Sequence, residues 1–212
     1  MDSQGYPIPA GNVRVEQEVK RSRFIGALAH ANSRDEAEAF IESIRQEHPR
    51  ASHNCYAFVA GEPGNTPAVG MSDDGEPRGT AGKPMLSVLQ HSGIGEIVVV
   101  VTRYFGGTKL GTGGLVRAYS GTLQFALDSA TLKTKIELCT VEVTMPYACE
   151  GALRRFAESE QLELLDTRYT SNVCVAFRFP AHRANELARR IADVTNGVAQ
   201  ITQKTARSSS GL

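Results

Sequence analysis

The opening part of the chain alternates apolar and polar side chains as β-strands do. Val13, Val15 and Val19 alternate with polar residues, and an apolar stretch at residues 24–29 follows them. Period-two alternation of this kind is typical of half-buried strands. A continuous β-branched run at residues 97–101 instead indicates a strand buried on both faces. The predicted strands of this half cover residues 13–19, 24–29, 53–60 and 97–101.

Three segments of the same half have the pattern of helices. Ser33 and Glu36 have capping-box spacing at the start of the first helix, which must end before Pro49. Pro84 lies in the first turn of the second, where its missing N–H costs little. Residues 61–82 lack periodicity and predict a functional or disordered loop. The predicted helices cover residues 34–47, 84–90 and 115–129.

The pattern resets near residues 131–137 and then predicts a second, smaller domain. Its order is strand, helix, strand, strand, helix, strand, which is the ferredoxin-like βαββαβ unit. The elements are a strand around Cys139 to Met145, a helix at 148–159, strands at 162–169 and 173–179, a helix at 183–194 and a strand at 197–203. We therefore predict an α/β (α+β) protein with domains at residues 1–135 and 136–205 and a disordered tail at 206–212.

Composition narrows the class and the compartment. The apolar run at residues 97–101, like the other apolar runs of the sequence, is far shorter than the roughly 20 residues that span a bilayer. The first 20 residues are charged and contain no apolar leader. The four cysteines form no CxxC pair, which indicates reduced thiols. We expect a soluble cytoplasmic protein without membrane association, whose oligomeric state the sequence does not determine.

Charge is balanced over the whole chain but not along it. Lys plus Arg and Asp plus Glu both total 23, so net charge gives no argument for a nucleic-acid partner. The segment from residue 77 to residue 135, however, contains seven Lys or Arg residues and only two Asp or Glu residues, a local excess of +5. This segment is the candidate basic surface.

A glycine-rich loop in that segment, residues 106–114, connects the predicted buried strand to a helix. Backbone N–H groups and the helix dipole at such a junction favour an anion, and Lys109 and Arg117 would add positive charge. The loop does not have the spacing of a nucleotide-triphosphate fingerprint. The alternative is that its glycines serve only tight turns and close packing.

An acidic turn, residues 73–76, precedes this segment and contains three carboxylates. Asp73, Asp74 and Glu76 are enough in principle for a Mg²⁺ site beside a phosphate. They can equally form a chain reversal, or ion pairs that lock the turn to neighbouring basic residues. The sequence leaves these alternatives open.

Two further features of the first domain carry candidate chemistry. Tyr104 and Phe105 follow Arg103 at the end of the buried strand, a combination that suits RNA because bases stack on rings and phosphates meet cations. One ring can equally belong to the core. His53 and Cys55 share a strand face and would fit a metal or a Cys/His couple, but a structural role is the simpler interpretation.

A series of motifs runs through the first domain. They read KRSRF (20–24), HNC (53–55), SDDGEP (72–77), GTAGKP (79–84), VVVVTRYFGG (98–107) and LGTGGLVRAY (110–119). This ordered series resembles the signature of the IMPACT family, in its bacterial, YigZ-like branch. The resemblance implies an N-terminal domain like domain 2 of ribosomal protein S5 and a C-terminal domain like domain V of elongation factor G. Eukaryotic members of the family regulate translation through a protein–protein contact.

Our hypothesis from the sequence is a non-catalytic regulator of translation that binds RNA, the ribosome or a translation factor through the basic, glycine-rich surface. Asp73, Asp74 and Glu76 would orient the neighbouring loop. No cofactor is predicted. The alternative is a Mg²⁺-dependent enzyme acting on a phosphorylated metabolite or an RNA end. The predicted contact residues are Lys83, Arg103, Tyr104, Gly106, Gly107, Lys109, Gly111, Gly113, Gly114 and Arg117.

Overall fold

The computed structural model describes residues 5–64 and 66–205, and the predicted tail at 206–212 lies outside them. Contacts divide the described residues into two compact units, Tyr6–Lys135 and residues 136–205 together with Gly5. No helix in the described ranges is long and apolar enough to cross a membrane. The first unit contains β1 (Tyr6–Pro9), β2 (Val13–Val19), β3 (Ser22–His30), α1 (Arg34–Glu47), β4 (His53–Val59), β5 (Val69–Ser72), α2 (Gly82–Ser92), β6 (Ile97–Tyr104), α3 (Thr112–Asp128) and β7 (Leu132–Lys135).

The first unit is built on a five-stranded antiparallel sheet in the order β2-β3-β6-β4-β5. The central strand β6 is buried on both faces, as its continuous apolar run predicts. Val99 and Val101 pack into the cluster formed with α2 and α3, while Val98 and Val100 pack against α1. Successive side chains of a strand point to opposite faces, so one strand supplies both cores.

The strand directions bring several chain turns to one end of this sheet. Strand β6 runs antiparallel to β3 and β4, so its last residues lie beside their first, and β5 ends beside the start of β4. Helices α2 and α3 follow β5 and β6 and begin at this same end. The topology therefore gathers the β2–β3 turn, the loop before α2 and the glycine-rich loop before α3.

The sequence pattern missed two features of the first unit. The 61–82 connection contains a short 3-10 turn and strand β5, whose four residues are too few to show alternation. Strands β1 and β7 form a separate two-stranded antiparallel sheet that pairs Tyr6 with Lys135. The buried Glu96 carboxylate accepts hydrogen bonds from the Tyr6 hydroxyl (3.1 Å) and the Lys135 ammonium. It also lies 2.7 Å from Nε2 of His30.

The second unit has the predicted ferredoxin-like fold. Its antiparallel sheet has the order β11-β8-β10-β9. Both helices supply apolar residues to a single core with the sheet, including Leu153 from α4 and Leu187 from α5. The elements are β8 (Leu138–Met145), α4 (Glu150–Ser159), β9 (Glu163–Tyr169), β10 (Val173–Pro180), α5 (Ala184–Val194) and β11 (Gln200–Thr205).

Candidate functional site

The glycine-rich loop and the β2–β3 turn touch at the shared end of the sheet. A Cβ atom at Gly106 would lie 1.8 Å from the backbone oxygen of Arg21, so only glycine permits this approach. Lys20 and Arg21 form the turn with φ of 47° and 65°. The Gly106 N–H donates to Oγ of Ser22 (3.2 Å). The basic turn is therefore held against the loop that leads into α3.

Six exposed cations surround this end of the sheet, and within the described ranges none of their side chains makes an ion pair or hydrogen bond. The charge of Arg78 helps to lower the pKa of Asp73, and the other five charges are free to meet an external anion. We call this region the basic end. Its cations are Lys20, Arg21, Arg78, Lys83, Lys109 and Arg117.

The N-terminus of α3 opens onto the basic end without a cap. Gly111 precedes the helix with φ of 74°, no side chain caps it, and its first turn contains no acidic residue. The Leu115 N–H makes the first helical bond, to the carbonyl of Gly111 (2.9 Å). The N–H groups of residues 112–114 therefore have no side-chain acceptor, and they carry the positive end of the helix dipole.

The glycines of the loop have different roles. Gly106 is required for close approach, while Gly107 and Gly111 have positive φ. A Cβ atom at Gly113 would meet nothing within 4 Å, whereas one at Gly114 would lie 3.0 Å from Cβ of Leu110. Gly113 therefore leaves open space in front of the helix N-terminus rather than serving a turn.

The N-terminus of α2, in contrast, has a hydrogen-bond acceptor that the chain itself supplies. Asp73 accepts hydrogen bonds from the N–H groups of Gly79 (2.7 Å), Ala81 (3.0 Å) and Gly82 (2.8 Å). Burial opposes ionisation of Asp73, but these N–H donors outweigh it and hold its pKa below the ordinary value. Asp73 thus orients the loop and caps the helix.

The structure places Arg103 in the interior, which contradicts its prediction as a surface contact for phosphate. Its side chain is 7% exposed, and Nη1 donates to Oε1 of Glu76 at 2.7 Å. The Tyr119 hydroxyl donates to the same oxygen (2.7 Å), and burial raises the pKa of Tyr119. The Phe24 ring lies 5.5 Å from the guanidinium carbon. Nε of Arg103 is buried without a partner. Arg103 therefore anchors the acidic turn and is not a surface contact.

The His53–Cys55 pair belongs to the same internal network. Nδ1 of His53 donates to the carbonyl of Asp74 (2.8 Å), and its Nε2 lies 3.9 Å from Glu76. The Cys55 thiol donates to the carbonyl of Asp73 (3.0 Å), and burial raises its pKa to about 12. A thiol in that state is neither a nucleophile nor a ready metal ligand. The geometry therefore supports the structural interpretation of both residues.

The three carboxylates of the acidic turn serve three different partners. Asp73 caps α2, Glu76 pairs with Arg103, and Asp74 accepts the N–H of Asn54 (2.6 Å). In the described part of the chain, no three His, Cys, Asp or Glu side chains converge as metal ligands do. The arrangement thus gives no structural support to the magnesium alternative, because the carboxylates are committed to separate tasks.

Tyr104 lies on the α1 side of the sheet, opposite to Arg103, because consecutive strand residues face opposite ways. It borders a surface groove of about 480 Å³ that is also lined by Arg23, Glu47, Pro49 and Arg50. The sequence prediction missed Lys20, Arg21, Arg23 and Arg50 as candidate contacts. The basic motif at residues 20–24 was the available signal, but only the sheet register places it beside the glycine-rich loop.

Comparisons with known proteins show the family to which this chain belongs. Residues 20–127 match the family described as the Impact N-terminal domain, and residues 143–198 match a domain of unknown function, DUF1949. The chain is 42% identical over 198 residues to the IMPACT family member YigZ of Escherichia coli (strain K12), covering 93% of this chain and 97% of that protein. It is 46% identical over 168 residues to an IMPACT family member of Haemophilus influenzae, covering 79% and 82%.

A solved structure described as "Crystal structure of an hypothetical protein" has a TM-score of 0.65 and 42% identity to this chain, covering 93% of it and 96% of that structure. Fold and site define a two-domain α+β protein whose N-terminal domain presents a basic, glycine-rich end. The chain belongs to the IMPACT family.

Proposed function

We propose that this protein is a non-catalytic regulator of translation whose basic end binds RNA of the translation machinery. Membership of the IMPACT family supports a translation-related regulatory role in general. The RNA contact is our proposal from the residues. It assigns phosphate binding to Lys109 and Arg117, with Lys83 beside them, and to the N–H groups at the start of α3.

The observation that carries the proposal is a set of unpaired cations around an uncapped helix N-terminus. Lys83, Lys109 and Arg117 are exposed and have no described intramolecular partner. Helix N-termini bind phosphate because free N–H groups and the dipole act together. Phosphate contacts of this kind supply most of the affinity of a protein for nucleic acid, without reading sequence.

A binding role fits the surroundings better than catalysis does. The chemically reactive groups nearby, the Cys55 thiol, the Glu76 carboxylate and the Tyr119 hydroxyl, are buried and bonded to one another or to the chain. A catalytic acid or base must reach the substrate within hydrogen-bonding distance. The exposed groups at the basic end include cationic side chains and the backbone N–H groups at the start of α3.

Charge reversal at the helix N-terminus tests this function. We expect Lys109→Glu/Arg117→Glu to weaken binding to ribosomes and to single-stranded RNA, measured by co-sedimentation and fluorescence anisotropy at several salt concentrations. For single strands, each lost phosphate contact should reduce the salt slope by about 0.7.

The control variant is Arg155→Glu/Arg189→Glu, which changes two exposed, unpaired cations on α4 and α5. Both double variants carry the same change in net charge, so a difference between them is due to position. Equal binding by the two variants, or no binding by the wild-type protein at low salt, would refute the proposal.

A further inference from the structure

The groove beside Tyr104 lies on the opposite face of the sheet from α3 but at the same end. Arg23, Pro49, Arg50 and Tyr104 line it, together with Glu47. Arg23 and Tyr104 are directly paired across β3 and β6, which places their side chains on the same face. The groove is therefore part of the sheet end rather than a separate feature of a loop.

The ring of Tyr104 is held in place from two sides. Its hydroxyl hydrogen-bonds to Nδ1 of His48 (3.0 Å), and the two rings meet edge-on at 6.0 Å. The Arg23 guanidinium lies over the Tyr104 ring at 4.9 Å, while its side chain stays 51% exposed. A guanidinium layered on a fixed ring presents an additional planar cationic surface.

The charge of the groove favours an anion. Arg50 is exposed and has no partner in the described structure. Glu47 forms an ion pair with Arg14 at 2.7 Å, which compensates its negative charge. Arg23 has a looser contact with Glu16 at 3.5 Å. The groove therefore combines the stacked Arg23 and Tyr104 side chains with the unpaired cation of Arg50.

Phe105 connects the groove to the glycine-rich loop along the chain. Tyr104 ends β6, and Phe105 follows it with half of its surface exposed (51%). The Phe105 N–H donates to Oγ of Ser52 (3.2 Å), which fixes the chain where it turns towards the glycine-rich loop. An extended ligand that reached from α3 to the groove would pass Phe105.

We infer that this groove is a nucleobase subsite for single-stranded RNA, in which an unpaired base stacks on the Arg23–Tyr104 layer and an adjoining phosphate meets Arg50. The inference rests on the proposed RNA binding and adds that the bound RNA is single-stranded. A base must be free of a duplex to stack on such a layer, because A-form helices keep their bases out of reach. Unpaired RNA is therefore the ligand class.

The test compares three probes, of which the two single strands carry the same number of phosphates. They are a short single-stranded RNA with one 2-aminopurine, its abasic counterpart and its duplex. The chain has no tryptophan, so 2-aminopurine emission can be followed with little protein background. We expect the wild-type protein to quench the probe and to prefer the base-bearing strand over the abasic strand by about fivefold or more.

Tyr104→Leu should bring the two affinities together without weakening abasic binding, while Tyr104→Phe should keep the preference. Lys109→Glu/Arg117→Glu should weaken both strands alike, which separates failure of the base subsite from failure of the phosphate surface. Should Tyr104→Leu not fold by circular dichroism, Arg23→Gln, which removes the guanidinium stacked on Tyr104, should lower the preference for the base-bearing strand, with Arg155→Gln as its control. Equal wild-type affinity for the two single strands overturns the inference, and binding of neither overturns the proposed function as well.

Discussion

Helices α2 and α3 begin at the same end of the same sheet, yet their N-termini differ in what they offer to a ligand. At α2, Asp73 accepts the Gly82 N–H, and Pro84 has no N–H to present. At α3, no side chain caps the first turn and no acidic residue lies in it. The same backbone feature therefore stabilises the fold in one helix and remains available in the other.

This difference shows why position alone does not identify an anion site. Both helices follow glycine-containing loops, and both have a cation nearby, Lys83 on α2 and Lys109 before α3. What separates them is whether the chain supplies its own carboxylate. An internal anion occupies the α2 terminus, and an external one is expected at α3.

The largest effect on stability is expected from breaking the buried ion pair between Glu76, in the loop before α2, and Arg103. Glu76→Leu should lower the free energy of unfolding by about 3–5 kcal/mol, because it leaves the buried Arg103 guanidinium without its counter-ion. Urea unfolding followed by circular dichroism measures this. Arg14→Ala, which removes an exposed pair with Glu47, should cost about 1 kcal/mol or less. Similar losses in both variants would contradict a special role for the buried pair.

A smaller effect is expected from removing the α2 cap itself. Asp73→Ala should destabilise the protein by about 1–2 kcal/mol at neutral pH. Because folding lowers the pKa of Asp73, its contribution is complete above the unfolded-state pKa and is lost as pH falls through the folded-state pKa. The gap between wild type and variant in urea unfolding should therefore close in acid. A gap independent of pH would rule out an ionised cap, and Asp35→Ala on α1 is the control.

The smallest change in stability should come from giving α3 the carboxylate that it lacks. Thr112→Asp places an acid in its first turn and should stabilise the protein by about 0.3–1 kcal/mol. The same change should weaken RNA binding, since the new carboxylate competes with phosphate. Thermal unfolding and anisotropy measure the two effects, with the uncharged Thr112→Asn as control. Stability and affinity that rise together would show that α3 is not the anion site.

Much of the fold could be predicted from pattern. The βαββαβ order of the second unit and the central position of β6 follow from periodicity and from a continuous apolar run. The pairing of β1 with β7 could not, because each has four residues and their partners are far apart in sequence. Short strands give too few alternations to stand out from a loop.

The candidate site was predictable in its location but not in the burial of each charge. The glycine-rich loop between β6 and α3 is where the pattern places it. Arg103 was misassigned because its charge suggested the surface, although strand alternation puts it on the same face as Val99 and Val101. Its partner Glu76 is distant in sequence, and no local rule pairs the two.

The two-stranded sheet of β1 and β7 gives the first unit adjacent points of entry and exit. Tyr6 and Lys135 are partners across that sheet, and both bind Glu96. A domain whose two ends lie side by side tolerates circular permutation and insertion into a loop of a host protein. We therefore expect the first unit to accept both changes with its main sheet intact. The basic end, together with the RNA binding that we propose for it, would then be transferred with the unit.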